Sequence, residues 1–131
     1  MDMYQQNIID HYKNPENAGK LDVATFTKHL ANTSCGDEIT VYMKVKSDII
    51  ENIKFEGIGC AISIASADIL YSYLKGRDIS EIKKIDLEYI KKLIGIEVSP
   101  GRSKCALLGK DALSKDKVEP KVKTTILSMQ W

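Results

Sequence analysis

Between Ile39 and Val45 the chain alternates apolar and polar side chains, with Ile39, Val41, Met43 and Val45 set against Thr40, Tyr42 and Lys44. A period of two predicts a strand with one buried face. Ser47-Asp48 supplies a turn, and Ile49 to Gly57 predicts a second strand with Ile53 and Phe55 on one side. Together they make a hairpin, so the sheet is antiparallel. Thr25 to Leu30 predicts a further short strand.

On either side of this stretch the period lengthens. Tyr4, Ile8 and Tyr12 recur every four residues and predict an apolar stripe on an opening helix. Asn14-Pro15 ends it, because proline disfavours helix in the residue before it, and Asn17-Ala18-Gly19 reads as a turn. Ile62, Ala65, Ile69 and Tyr73 predict a second helix, capped at its C-terminus by Gly76. A short helix is expected from Asp86 to Ile94. Ser99-Pro100-Gly101 then breaks the chain before a helix carrying Cys105, Leu108 and Ala112. A last helix is expected to open near Glu119-Pro120 and to bury Val122, Ile126 and Met129. Strands come early and helices late, without βαβ alternation. The class is therefore α+β, a small antiparallel sheet with helices packed on it, in a single domain over residues 1–131.

The composition narrows the function. A chain of 131 residues that is 44% hydrophobic can bury one core. Its 19 basic and 18 acidic side chains leave a net charge of +1, and they are interspersed. No field of that size draws the protein to nucleic acid or to an anionic membrane. The opening MDMYQQNIID lacks a basic region followed by a long apolar run, and no window is long enough to span a bilayer, so a cytoplasmic location is expected. Three cysteines at long intervals do not form a disulfide framework. In a reducing compartment they are structural, metal-binding or reactive.

Each cysteine falls at a junction between predicted elements. Cys35 lies in the polar turn Asn32-Thr33-Ser34-Cys35-Gly36-Asp37, Cys60 follows Gly57-Ile58-Gly59, and Cys105 sits in the first turn of a predicted helix. Helix N-termini favour thiolate, and Arg102 and Lys104 beside Cys105 act in the same direction. Asp37, two residues after Cys35, would project to the same side in an extended segment. With Cys60 and Cys105 this gives four donors that suit tetrahedral zinc or an iron–sulfur cluster. No C-x-x-C pair is present, however. On spacing alone, buried inert thiols explain the cysteines more simply. His11 and His29 read as packing or capping residues, and Gly57-x-Gly59 lacks the rest of a phosphate loop. Lys83-Lys84 and Lys91-Lys92 read as a solvated helical face.

Four segments change that balance. Asp10-His11-Tyr12-Lys13-Asn14-Pro15-Glu16-Asn17-Ala18-Gly19, Cys35-Gly36-Asp37, the block from Phe55 to Ala67 around Cys60, and Lys104-Cys105-Ala106-Leu107-Leu108 occur in that order. They resemble the motifs of the IscU/NifU-type scaffold family, including its SufU branch, over nearly the whole chain. The resemblance implies that Cys35, Asp37, Cys60 and Cys105 converge at one exposed end of the molecule. There the family takes sulfur from a cysteine desulfurase and assembles a [2Fe–2S] cluster for recipient apo iron–sulfur proteins. In the SufU branch, zinc occupies Cys-Asp-Cys-Cys ligands and a cysteine accepts persulfide sulfur.

The chain departs from both branches. Lys104 stands where the IscU branch has histidine, and a protonated lysine cannot ligate metal, which leaves Asp37 as fourth donor. Ile96-Glu97-Val98-Ser99-Pro100-Gly101-Arg102 replaces the segment that an Hsp70 chaperone recognises, so that partner is not carried over. The insertion usual in SufU between the second and third cysteines is missing. Three readings follow. The first is a cluster scaffold with Cys105 or Cys35 as persulfide acceptor, not an enzyme in the ordinary sense. The second is a zinc-dependent sulfur-transfer protein in which Lys104 pairs with Asp37 when the metal rearranges. The third is a structural zinc domain without sulfur chemistry. A cluster shared between subunits keeps a homodimer open.

Overall fold

A computed structural model describes residues 2–32, 36–114 and 124–126, the last three for their backbone alone. Helix α1 (Met3–Lys13) is followed by strands β1 (Phe26–Asn32), β2 (Asp37–Lys46) and β3 (Ile49–Ile58). Helices α2 (Ala61–Leu74), α3 (Leu87–Ile94) and α4 (Ser103–Leu113) come next, with short 3-10 turns at Ile79–Lys84 and Pro100–Arg102. Strand β4 (Thr124–Ile126) closes the described part. The four strands pair antiparallel in the spatial order β3-β2-β1-β4, with helices on one face. The expected α+β class, hairpin and central helices are all present.

The hairpin turns at Ser47 and Asp48, whose φ values of 52° and 63° are left-handed and match the twist of the flanking strands. Ile50, Ile53 and Phe55 are all buried although the first two are three residues apart. Val45 faces Ile50 while Lys44 faces Asn52, so Glu51 is an extra residue that bulges β3 and returns Ile53 to the inner face. The inner face of the sheet packs Phe26, Val41, Met43, Ile53 and Phe55 against Leu70, Tyr71 and Leu74 of α2 and Leu113 of α4.

Two expectations are corrected. In the opening helix only Ile8 is buried, while Tyr4 is 56% and Tyr12 43% exposed. The helix lies at the margin of the domain, and Tyr4 rests its ring against Gly95 at the end of α3 instead of entering the core. The expected last helix is overridden at residues 124–126, which are extended. Thr124, Thr125 and Ile126 are β-branched, and their backbone pairs with Lys28, Thr27 and Phe26 along the edge of β1. Val122 and Met129 lie outside the described residues.

Two fully buried charges fasten helices in place. Asp68 of α2 accepts hydrogen bonds from the Glu16 and Asn17 backbone N–H groups at 3.0 and 2.9 Å, and its Oδ2 lies 2.5 Å from His11 Nδ1. His11 is therefore a packing residue, as expected, and the segment after Pro15 is stitched to α2. Lys28 of β1 donates from Nζ to the Ser114 and Asp111 carbonyls at 2.6 and 3.3 Å, where the negative end of the α4 dipole favours a cation.

Helices α2 and α4 approach closely because Gly109 has no side chain. A Cβ there would lie 2.7 Å from Ala67 Cβ and 2.9 Å from its Cα, and the Gly109 carbonyl accepts a 2.8 Å hydrogen bond from the Tyr71 hydroxyl. Replacing Gly109→Ala should force the helices apart and lower stability by about 1–3 kcal/mol in urea unfolding. An unchanged unfolding midpoint would show that this contact has slack.

Candidate metal and sulfur centre

Three chain segments meet where the hairpin, α2 and α4 begin. Asp37 is the first residue of β2, Cys60 is the N-cap of α2, and Cys105 lies in the first turn of α4. Their ligand atoms, one carboxylate oxygen and two sulfurs, all lie within 4.8 Å of one another. Such a triangle of donors is the size a single metal ion spans. Two thiols and a carboxylate are the chemistry that zinc or iron accepts. Cys35 lies outside the described residues.

The local sequence explains the convergence. Helix α2 starts directly after β3, so its open N–H groups face the beginning of β2, the neighbouring strand. Asp37 uses them: Oδ1 accepts the Cys60 N–H at 3.2 Å, and Oδ2 accepts the Ser63 hydroxyl at 2.5 Å. Gly59 makes that approach feasible, because a Cβ on it would sit 2.8 Å from Asp37 Oδ1. The glycine pair before Cys60 thus makes room for a carboxylate, not a phosphate.

Exposure differs from the expectation of an open end. Asp37 and Cys105 are each 3% exposed, and Cys60 is half-buried. The close α2–α4 packing draws both N-terminal turns over Asp37, which buries the donors beneath the surface. A groove of about 590 Å³, lined by Tyr12, Pro15, Phe55, Ile58 and Ile64 among others, runs up to Gly59 beside Cys60.

Burial is the largest influence on the Cys60 thiol and opposes its ionisation, as does the nearby Asp37. Hydrogen bonds from Ser63 and the Ile62 amide outweigh both, so the pKa falls below the ordinary thiol value. Cys60 is thereby biased toward the thiolate, the form that binds metal or attacks sulfur.

Lys104, on the first turn of α4, is exposed, and among the described residues no ion pair joins it to Asp37. His29 hydrogen-bonds Thr40 through Nδ1 at 2.8 Å on the outer face of the sheet and stays apart from the donor set. Sequence reasoning missed Ser63. Its only signal was a serine three residues into a helix that starts at a cysteine, a spacing that returns a side chain to the helix N-terminus.

A model of the NifU-like N terminal domain family matches residues 3–124. The zinc-dependent sulfurtransferase SufU of Bacillus subtilis is 42% identical over 130 residues, covering 86% of this chain and 88% of the relative. The iron–sulfur cluster assembly scaffold protein IscU 1 of Archaeoglobus fulgidus is 36% identical over 113 residues, with 86% and 73% covered. A solved structure assigned to an iron–sulfur cluster assembly scaffold for the SUF system, from Fervidobacterium islandicum, superposes with a TM-score of 0.71 at 30% identity. It covers 86% of this chain and 93% of that one.

The geometry predicts the outcome of filling the Gly59 gap. In the metal-free protein, Gly59→Ala should displace the Asp37 carboxylate and speed amide hydrogen exchange at Cys60 by about tenfold, the loss expected for one charged-acceptor hydrogen bond. Exchange at the wild-type rate would mean that Asp37 does not hold that amide.

Proposed function

The chain belongs to the NifU-like N-terminal domain family, and we propose that it is an iron–sulfur cluster assembly scaffold. In this reading it receives sulfur from a cysteine desulfurase and builds a transferable [2Fe–2S] cluster on Cys35, Asp37, Cys60 and Cys105. The observation that carries the reading is the meeting of Asp37, Cys60 and Cys105 donor atoms within 4.8 Å. Relatives named as IscU scaffolds support it. The fit is chemical as well as spatial: two soft thiols hold iron firmly, whereas a carboxylate is a harder and weaker ligand toward such a cluster. A cluster bound through one oxygen is easier to hand to a recipient apo protein.

Sulfur transfer itself needs only thiol chemistry. A thiolate of the centre attacks the outer sulfur of the donor's cysteine persulfide, the S–S bond breaks, and the donor cysteine leaves as thiolate. Its persulfide is now on this protein, with no net oxidation. The sequence reading places the acceptor at Cys105 or Cys35. Cys105, at 3% exposure, takes part only after its cover opens locally. The chemistry requires a reducing compartment, expected to be the cytoplasm. Among the described residues, no helix is long and apolar enough to cross a membrane.

A second reading, zinc-dependent sulfur transfer, is favoured by the 42% identity to the SufU sulfurtransferase. Cys35, Asp37, Cys60 and Cys105 would then hold zinc, which would supply Lewis acidity and keep the thiols deprotonated. The protein would be a sulfurtransferase in that case rather than a scaffold.

Protein purified without oxygen and treated with iron, cysteine and a desulfurase, and then with a thiol reductant that brings persulfide sulfur to sulfide, separates the two. The scaffold reading expects equal iron and acid-labile sulfide, with visible charge-transfer bands that fall by about tenfold or more in Cys60→Ser and Cys105→Ser. Zinc that iron does not displace, together with persulfide on one cysteine, would replace it with the sulfur-transfer reading.

A further inference from the structure

We propose that Ser63 is a positioning residue of the centre, its hydroxyl fixing the Asp37 carboxylate and lying against the Cys60 sulfur so that both stand ready for one metal ion. The proposal rests on the reading of these residues as ligands and adds to it a residue outside the ligand set. Ser63 is 1% exposed, and a hydroxyl buried that deeply must find partners within the protein. Its partners are Asp37 Oδ2 at 2.5 Å and Cys60 Sγ at 3.4 Å.

The hydroxyl thus has two partners within reach, one from β2 and one from the start of α2. The shorter contact is to the carboxylate, and the sulfur also has the Ser63 and Ile62 backbone N–H groups beside it. The Cys60 N–H holds Oδ1 at 3.2 Å, so both oxygens of Asp37 are gripped by the first turn of α2. Those two bonds fix the plane of the carboxylate, which would otherwise turn freely about its terminal bond. The same turn carries Cys60. Donors from β2 and from α2 are thus held at a set separation before any metal arrives, which lowers the ordering cost of binding.

The test is a double-mutant cycle on metal affinity. Metal-free wild type, Ser63→Ala, Asp37→Ala and the double variant are titrated with Co(II) in competition with a chelator, and the cobalt absorption bands are recorded. Ser63→Ala should weaken binding about tenfold and shift the bands, the effect typical of removing an outer-shell partner. In the Asp37→Ala background the same change should cost less than about twofold, because the group it positions is gone. Ser63→Thr, which keeps the hydroxyl, should stay within about threefold of wild type. Equal losses in both backgrounds, no loss in Ser63→Ala, or a Thr variant as weak as the Ala variant would each overturn the proposal. Failure of the ligand reading is distinct, because it appears as wild-type protein that does not bind Co(II), and it takes the Ser63 proposal with it.

Discussion

A carboxylate that is 3% exposed sits at the junction of β2, α2 and α4, and much of the surrounding structure follows from keeping it there. Burying an ionised carboxyl group is costly unless donors replace its water. Asp37 obtains them from the Cys60 N–H and the Ser63 hydroxyl. Those groups belong to the N-terminus of a 14-residue helix, whose partial positive charge also favours the anion. The requirement explains Gly59, where a side chain would collide with the carboxylate. It also explains why α2 begins immediately after β3, since a longer connection would carry the helix end away from the start of β2.

The same device recurs twice away from the centre. Asp68, within α2, holds His11 of α1 and, through two backbone amides, the segment after Pro15. Lys28, within β1, closes the C-terminus of α4. Each is a fully buried charge on one element satisfied by groups from a distant one, and losing either partner would strand a charge in the core. Asp68 thus fixes α2 against the N-terminal segment, while Asp37 and Lys28 fix α2 and α4 against the sheet. The N-terminal motif around His11 and Asn17 therefore serves the centre indirectly, by anchoring the helix whose first turn forms half of it.

Period and turn chemistry made most of this legible. The β2–β3 hairpin, α2, α3 and α4 follow from spacing and from Ser47-Asp48, Gly76 and Ser99-Pro100-Gly101, all local signals. Where tertiary contact decides, the pattern misleads. Tyr4 and Tyr12 share the spacing of Ile8 but lie at the domain's margin, and Thr124–Ile126 obeys the open edge of β1 instead of a helical repeat. The bulge at Glu51 leaves no local trace, because it depends on the register of the opposite strand. At the centre, the donor types of Asp37, Cys60 and Cys105 were readable. Their burial was not, since it depends on how closely Gly109 lets α4 approach Ala67. Ser63 was invisible for a similar reason: its role exists only once β2 lies beside the start of α2.

Burial also bears on how such a centre can work. Two donors held at 3% exposure are protected from solvent and stray oxidants, and a half-buried Cys60 leaves one side approachable. A groove reaches Gly59, the residue before Cys60, with Ile58 69% exposed on its wall. A ligand set that must both gather a cargo and release it gains from unequal arms. In the scaffold reading the thiols would supply strong soft bonds and the carboxylate a harder, weaker one, with hydrogen-bond donors already in place to hold it when it lets go of the metal. The placement of Asp37 between Ser63 and the Cys60 amide would then let that arm detach without leaving a buried carboxylate unsatisfied.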